Sequence, residues 1–278
     1  MKIGLYARYL QPAAQQDLDR LVETLHRHHV VTEDITDTLP PDDYDFIISV
    51  GGDGTLLSSV HLIGRRHIPV VGVNLGHLGF LTTAGRDDID TLVTDLLAGR
   101  YTVEPRTLLH VVAELPGTPF ATFALNEVCL HRLDDGTLLH TDLYINGDFV
   151  STYVGDGLIV ATPTGSTAYS LSCGGPILTP HSGCFVVTPI GVHNLTLRPI
   201  IVPDTATLRL VTHPREHSFS LSTDSRRQHL PCGTQLTLSR EDFTIQLVRL
   251  HGQNFFSAIH QKLGWGDQSS AAQATSVV

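Results

Sequence analysis

The chain has 278 residues, with 18 lysines and arginines against 28 aspartates and glutamates, so its formal net charge is −10. This acidic excess argues against nucleic acid as the main partner, because proteins that bind nucleic acids carry basic surfaces. Since 41% of the residues are hydrophobic and only 17% are charged, the chain can build one large or two medium domains, and global disorder is excluded.

Composition also excludes some kinds of site and location. Lysine occurs only at Lys2 and Lys262, so the Gly-Lys-Ser/Thr motif of a Walker-A site is absent. The four cysteines show no C-x-x-C spacing and the first residues lack a secretory signal, which favours reduced thiols in a cytoplasm. Residues 157–197 carry no charge, but glycines, prolines and threonines break every apolar run before the ~18 residues of a membrane helix. We therefore predict no membrane partner.

The first hundred residues alternate strand-like and helix-like patterns. Continuous apolar runs are typical of strands buried on both faces of a parallel sheet. Between them, apolar side chains recur at helical spacing, and one segment has the acidic first turn that suits a helix start. This order predicts an α/β fold with an open parallel sheet. The predicted strands are 3–7, 46–50 and 69–73, and the predicted helices are 13–28, 55–63 and 87–97.

From residue 101 onward the helical spacing mostly disappears, and short β-prone runs alternate with turn residues, which predicts a β-rich domain. We expect an N-terminal α/β domain at 1–103, a β-rich domain at 104–265 and a flexible tail at 266–278. The predicted strands of the β-rich domain are 108–115, 120–130, 141–145, 158–161, 185–189, 207–211, 235–238 and 243–248.

The most informative stretch is FIISVGGDGTLL at 46–57. A buried strand that runs into three glycines and then a helix brings backbone N–H groups together at the carboxyl edge of a parallel sheet, where phosphates commonly bind. The carboxylate of Asp53 would repel a phosphate unless it holds a divalent cation or accepts a proton from an attacking hydroxyl. Either role indicates phosphoryl transfer; the alternative is a turn in which Asp53 bonds its own backbone.

The GGDGT sequence at 51–55 resembles a signature shared by NAD kinases, by diacylglycerol and sphingosine lipid kinases and, more loosely, by ATP-dependent phosphofructokinases. Three further stretches are similar to NAD kinase blocks in the same order: IPVVGVNLGHLGFL at 68–81, LNE at 125–127 and GDGLIVATPTGSTAY at 155–169. KLGWG at 262–266 is similar to the C-terminal signature of that family. Because several blocks in one order are far more specific than one motif, the chain is identified as a member of the NAD kinase family.

The resemblance implies the two-domain NAD kinase fold and transfer of the terminal phosphate of ATP to the 2′-hydroxyl of the adenosine ribose of NAD, giving NADP. It implies a magnesium ion that is held through the phosphates, with Asp53 as the one candidate protein ligand. It also implies a homodimer or homotetramer.

The resemblance further implies the residues of the site. Asp53 is the catalytic base or the carboxylate that organises the metal. Glu127 binds a ribose hydroxyl, Asn126 lies near the adenine edge, and Asp156 lies at the nicotinamide end, while the Thr-Gly-Ser-Thr-Ala-Tyr stretch lines the adenine pocket. The implied phosphate and ATP ligands are Gly51, Gly52, Gly54, Thr55 and Asn74, and the implied NAD ligands are Asp53, Gly54, Asn126, Glu127, Asp156, Thr164, Thr167, Ala168, Tyr169 and Asp224.

The chain departs from the family pattern at two places. Ser225 follows Asp224 where the family usually has glycine, and Val192 precedes His193 where the family usually has proline.

The sequence leaves two other functions open. A lipid kinase would share GGDGT, but the chain lacks a basic cluster for docking on anionic membranes. A catalytically silent NADP-binding regulator would bind the dinucleotide without turning over ATP.

Overall fold

The computed structural model describes residues 1–8, 12–38, 40, 43–76, 79–115, 117, 119–133, 137–213 and 218–265. They fall into two units. The first contains Met1–Pro105 together with the chain from Gln246 onward, and the second contains Arg106–Ile245. The predicted tail at 266–278 lies outside the described residues.

Helices and strands alternate early in the chain, and strands dominate later. The helices are α1 (Pro12–Arg27), α2 (Asp53–Ile63), α3 (Ile89–Leu97), α4 (Tyr169–Ser172) and α5 (Phe255–Leu263), with three-ten helices at Gly64–Arg66, Arg86–Asp88 and Gly165–Thr167. The strands are β1 (Lys2–Ala7), β2 (Val31–Asp34), β3 (Phe46–Val50), β4 (Val70–Asn74), β5 (Ala84–Gly85), β6 (Tyr101–Glu114), β7 (Phe120–Ala124), β8 (Glu127–Arg132), β9 (Leu139–Ile145), β10 (Asp148–Gly155), β11 (Gly157–Ala161), β12 (Cys184–Ile190), β13 (Ile200–Pro203), β14 (Leu208–Thr212), β15 (Ser218–Thr223), β16 (Arg226–Pro231) and β17 (Gln235–Leu250).

The first unit is built on a parallel sheet with strand order β2-β1-β3-β4, and the end of β17 runs parallel to β4. All five residues of β3 are buried, as the continuous apolar run predicts. Leu21 and Leu25 of α1 and Leu92 of α3 pack in the same core as the sheet. The carboxyl ends of β3 and β4 therefore lie side by side at one edge of the sheet.

The second unit consists almost entirely of antiparallel strands. One sheet has the order β13-β12-β11-β8-β15-β16. Strands β10, β9, β14 and the beginning of β17 pair in that order, and β6 pairs with β7. In β8, Val128 and Leu130 enter the main core, whereas Cys129 faces the other side of the sheet. This alternation exposes one face of β8 to a cavity described below.

Several elements were missed by the sequence patterns. Strand β10 begins with three exposed residues and has polar Ser151 and Thr152 in its middle, and β16 is exposed over most of its length, so neither presents a continuous apolar run. The two runs predicted at 235–238 and 243–248 form one strand, β17, because alternation of buried and exposed side chains continues between them. Helix α5 was also missed, although Asn254 caps it by accepting a hydrogen bond from Ser257 N–H at 2.9 Å.

The second unit ends earlier than our predicted boundary at residue 265. The chain from Gln246 groups with the first unit, where Leu247 lies beside Val70 and where Val248 and Leu250 join the core. Composition alone does not reveal that the chain rejoins the first unit at Gln246, because β17 is one continuous β-rich segment of the sequence.

Several buried polar side chains of the uncharged segment at 157–197 form hydrogen bonds within the segment. Ser166 Oγ bonds the Pro163 carbonyl at 2.7 Å and accepts from Leu178 N–H at 2.9 Å, while Ser170 and Thr188 hydroxyls bond each other at 2.8 Å. Over the described ranges, no helix is long and apolar enough to cross a membrane.

Candidate active site

The GGDGT turn joins β3 to α2 in the first unit. Gly51 has φ +145°, a conformation that favours glycine, and a Cβ there would overlap the Thr55 side chain. Gly52 and Gly54 are exposed and face open space. Helix α2 begins at Asp53 rather than at the predicted residue 55, so the turn lies directly at the positive end of the helix. A phosphate could approach the two open glycines closely.

Asp53 is half-buried, and backbone N–H groups of the loop at 79–81 hold its carboxylate. Phe80 N–H donates to Oδ2 at 2.8 Å, and Leu81 N–H donates to Oδ1 at 3.1 Å. Gly79 lies so close that a Cβ there would overlap Oδ1. Since each carboxylate oxygen has a second lone pair, both can still accept a proton or bind a cation.

Asn74 ends β4 beside the GGDGT turn. Strands β3 and β4 place Val50 next to Val73, and Gly51 N–H donates to Val73 O at 2.8 Å. Asn74 Oδ1 accepts from Gly76 N–H at 2.9 Å. The structure therefore brings Asn74 to the same sheet edge as the GGDGT turn.

Asn126 and Glu127 begin β8 in the second unit. Asn126 is 8% exposed, and neither its buried Oδ1 nor the buried Oε2 of Glu127 has a hydrogen-bond partner within the described chain. Buried polar atoms are normally hydrogen-bonded, so these two oxygens mark the dipeptide as a candidate ligand-binding position. Burial, and then the negative charge of Asp224, raise the pKa of Glu127 from 4.5 to about 8.

Asp224 supports the backbone of this dipeptide. Its Oδ1 accepts from Asn126 N–H at 2.7 Å and from Glu127 N–H at 3.2 Å, and its Oδ2 accepts from Leu125 N–H at 2.8 Å. Asp224 has φ +52°, which aspartate tolerates better than most residues. Ser225 is not among the positive-φ residues, so serine can replace the glycine of the family pattern without backbone strain.

The turn after β11 packs against the same dipeptide. Thr162 Oγ1 donates to Leu125 O at 2.5 Å, and Thr162 N–H donates to Asn126 O at 2.9 Å. A Cβ at Gly165 would overlap Asn126 O, so only glycine fits there. The turn leads into the predicted adenine-binding residues: Thr164 is buried, Thr167 and Ala168 are half-buried, and Tyr169 is 40% exposed.

Asp156 follows β10 and is paired with a basic residue that the sequence did not indicate. Arg132 Nε donates to Asp156 Oδ1 at 2.6 Å, and both side chains are partly exposed. A Cβ at Gly191 would press against the Asp156 carboxylate. The positive charge of Arg132, the last residue of β8, therefore balances the negative charge of Asp156 and holds its carboxylate in place.

A cavity of about 470 Å³ in the second unit joins some of these residues. Glu127, Asp224 and Tyr169 line it together with Arg132 and Arg227, so acidic and basic groups face the same space. Its wall also contains Cys129, whose burial raises the pKa of the thiol to about 12 and keeps it protonated near neutral pH. Asn126, Asp156 and Thr164 do not line this cavity.

Two features around Asp53 had no sequence signal. The donors to Asp53 are peptide N–H groups, which any residue except proline could supply. Arg249 is 7% exposed and contacts the same loop, since Nη2 donates to Phe80 O at 2.9 Å, but it lies 169 positions further along the chain. Arg132 follows the Asn-Glu block within a short polar stretch and could have been suspected only as a neighbour of that block.

Comparison with known proteins identifies both units. The family described as the ATP-NAD kinase N-terminal domain matches residues 6–101, and the family described as the ATP-NAD kinase C-terminal domain matches residues 125–250. A NAD kinase of Cytophaga hutchinsonii is 42% identical over 80% of this chain and 76% of its own length. A NAD kinase of Porphyromonas gingivalis is 41% identical over 91% of this chain and 84% of its own length.

Solved structures show the same fold at lower identity. The yeast NADH kinase complexed with NADH has a TM-score of 0.86, at 24% identity, over 96% of this chain and 88% of its own. A NAD kinase from Archaeoglobus fulgidus in complex with ATP has a TM-score of 0.77, at 24% identity, over 94% of this chain and 99% of its own. The predicted fold class, an α/β unit with an open parallel sheet followed by a β-rich unit, is confirmed, and so is the predicted resemblance. The chain belongs to the NAD kinase family.

Proposed function

We propose that this chain phosphorylates the 2′-hydroxyl of the adenosine ribose of NAD with ATP as donor, giving NADP, and that Asp53 is its catalytic carboxylate. The observation that carries the assignment of Asp53 is its setting: an acidic side chain at the open glycine turn that begins α2, held by two peptide N–H groups. Family membership supports the reaction itself.

The glycine turn binds the triphosphate of ATP. Its backbone N–H groups lie at the positive end of α2, and the open space at Gly52 and Gly54 lets phosphate oxygens approach the main chain. Thr55 and Asn74 add polar side chains near the same edge. Phosphoryl transfer asks mainly for alignment and charge stabilisation, which a fixed backbone provides.

Asp53 accepts the proton of the attacking ribose hydroxyl. A hydroxyl is a weak nucleophile, and a positioned base typically contributes ~10²–10⁴ in rate. The hydrogen bonds from Phe80 and Leu81 restrict the carboxylate to one orientation. The carboxylate is therefore preorganised before substrates bind.

Asn126 and Glu127 bind the adenosine part of NAD. The adenine amino group and the ribose hydroxyls are hydrogen-bond donors, and two buried oxygens of this dipeptide, which have no partner among the described residues, can accept these bonds. Hydroxyls that donate to Glu127 favour its charged form, which opposes the raised pKa of the unliganded site. Asp224 contributes by holding the main chain of the dipeptide.

The rest of the second-unit site binds the remaining parts of the dinucleotide. Tyr169 presents a partly exposed ring on which adenine can stack, and Thr164, Thr167 and Ala168 precede it in the same turn. Asp156 accepts from the nicotinamide carboxamide, and its pairing with Arg132 sets its orientation.

Magnesium fits the residues present. In the part of the chain that the structure describes, no group of three or more His, Cys, Asp or Glu side chains could hold a metal, and Asp53 is the acidic residue at the phosphate-binding turn. Magnesium usually binds one or two carboxylates together with substrate phosphates, and it would neutralise the charge of the triphosphate here.

We also infer that the protein forms a homo-oligomer in a cytoplasm. Exposed apolar side chains on edge strands, such as Phe149 and Ile201, support the homo-oligomer. The four free cysteines support the cytoplasm.

The test is to incubate the purified protein with NAD, ATP and magnesium and to assay NADP with an NADP-specific dehydrogenase. We expect NADP to accumulate with time and enzyme concentration. Phosphorylation of diacylglycerol in liposomes without any activity on NAD would instead identify a lipid kinase. Tight dinucleotide binding without consumption of ATP would identify a silent regulator.

Substitution of Asp53→Asn tests the catalytic assignment. We expect kcat to fall by ~10²-fold or more while dinucleotide affinity stays within a few-fold, because the base acts mainly in the transition state. Steady-state kinetics and calorimetric titration with NAD measure the two quantities. Turnover equal to the wild type would remove Asp53 from the mechanism.

A further inference from the structure

Arg249 lies near the end of β17, within the first unit, and is almost fully buried at 7% exposure. Its Nη2 donates to the Phe80 carbonyl at 2.9 Å, and its Nε lies 3.6 Å from Glu104 Oε2. Burial lowers the pKa of Arg249, whereas the charges of Glu104 and Asp53 act to raise it. A buried guanidinium that is costly to desolvate is therefore placed beside the loop that holds Asp53.

The bond from Arg249 falls on a particular peptide group. The Phe80 carbonyl and the Leu81 N–H belong to the same planar peptide unit. Arg249 binds the oxygen end of this unit, and Asp53 Oδ1 accepts from its N–H end at 3.1 Å. A cation at the oxygen polarises the peptide and strengthens the N–H as a donor. Arg249 thus acts on Asp53 through one peptide group.

Two other hydrogen bonds attach the same loop to the same C-terminal segment. Thr83 Oγ1 donates to Val248 O at 2.7 Å, and Gln253 Nε2 donates to Thr83 O at 2.5 Å. Neither bond involves the Phe80–Leu81 peptide. Gln253 is therefore a matched control, because its loss loosens the loop without changing the donor to Asp53.

We propose that Arg249 is a positioning residue for phosphoryl transfer: it fixes the peptide between Phe80 and Leu81 and thereby orients the carboxylate of Asp53 toward the acceptor hydroxyl. This inference rests on the proposed catalytic role of Asp53. It assigns a positioning function to a side chain that lies 169 positions after Phe80 in the chain.

The first experiment compares kcat and KM for NAD and ATP in the wild type and in three variants of the full-length chain. Arg249→Met should lower kcat about ten-fold or more while both KM values stay within about two-fold, because the lost charged hydrogen bond orients a reacting group and binds no ligand. Arg249→Lys, which can donate to the same carbonyl, should keep kcat within about three-fold of wild type. Gln253→Leu should keep kcat within about two-fold.

A double-variant cycle distinguishes positioning from general loosening. If Arg249 acts through Asp53, Arg249→Met should cause no further loss of kcat in the Asp53→Asn background. Equal fractional losses in both backgrounds would overturn the proposal, as would a loss in Gln253→Leu as large as that in Arg249→Met. Thermal unfolding checks each variant, and if Arg249→Met does not fold, Arg249→Gln replaces it with the same criteria.

The two proposals fail in different ways. Wild-type turnover in Asp53→Asn would refute the catalytic role of Asp53 itself. A strong loss in Asp53→Asn together with an unchanged kcat in a folded Arg249 variant would leave that role intact and refute the positioning role of Arg249 alone.

Discussion

Asp53, the proposed catalytic carboxylate, illustrates how main-chain atoms can hold a side chain in one orientation. Both of its oxygens accept peptide N–H groups from Phe80 and Leu81, and the neighbouring residue, Gly79, lets the loop come close enough for these bonds to form. A short carboxylate side chain held at both oxygens loses little further freedom when a substrate binds. Preorganisation of this kind lowers the barrier by removing reorientation from the reaction step.

Gly79→Ala tests this close approach. A methyl group at residue 79 would overlap Asp53 Oδ1, so the carboxylate must move, and a displacement of about 1 Å can reduce turnover ~10²-fold. Gly76→Ala in the same loop is the control, because its nearest atom would be Asn74 Oδ1 at 3.5 Å. Steady-state kinetics of both variants measure the effect, and equal kcat values would show that the overlap does not matter.

At the level of elements, the proposed dinucleotide-binding residues Asn126 and Glu127 depend on a hairpin from a distant part of the chain. Strands β15 and β16 pair from Ser218 with Pro231 to Thr223 with Arg226, which places Asp224 and Ser225 in the connecting turn. The Asp224 carboxylate then bonds three successive N–H groups of the chain entering β8. The turn therefore fixes the start of a strand that is distant in sequence.

Asp224→Asn tests this support. The variant keeps the size and the tolerance for positive φ but replaces one acceptor oxygen by a donor, which must face at least one N–H group. We expect the KM for NAD to rise about ten-fold and the melting temperature to fall, because the peptide groups lose bonds to a charged acceptor. Ser225→Gly is the control and should change neither quantity appreciably. A normal KM in Asp224→Asn would show that β8 keeps its position without the carboxylate.

The sequence predicts local elements better than the contacts between them. The strand, glycine turn and helix around residue 53 follow one another in the chain, so apolar periodicity and glycine spacing were sufficient to locate them. The Asn126-Glu127 dipeptide was found because it forms part of an ordered set of motifs. The bonds from Phe80, Leu81 and Arg249 could not be predicted, since peptide donors have no residue signature and Arg249 reaches the site only after the fold brings β17 back.

For the whole molecule, the half-buried Glu127 couples stability to pH. Its pKa is raised from 4.5 to about 8 in the folded chain, mainly by burial. Between these values the folded chain keeps a proton on Glu127 that the unfolded chain has released. The free energy of unfolding therefore contains a contribution that decreases as the pH rises from about 5 to about 8.

Glu127→Gln removes this contribution, because a glutamine side chain does not titrate. We expect the free energy of unfolding of the variant, minus that of the wild type, to increase steadily as the pH is raised from about 5 to about 8. Urea unfolding of the unliganded proteins measures both free energies. Because both proteins contain the same histidines, the titration of these residues cancels when one free energy of unfolding is subtracted from the other. A difference that is constant over this range would contradict the raised pKa.

The return of β17 and α5 to the first unit has a consequence for biosynthesis. The residues that begin this unit leave the ribosome first, yet the strand beside β4 and the guanidinium that contacts the Phe80 carbonyl are supplied by residues beyond 245. A nascent chain can therefore complete its β-rich middle before its amino-terminal part is finished. The first unit is then completed late in synthesis, and premature release upstream of Arg249 would yield a product that lacks the hydrogen bond from this residue to the Phe80 carbonyl.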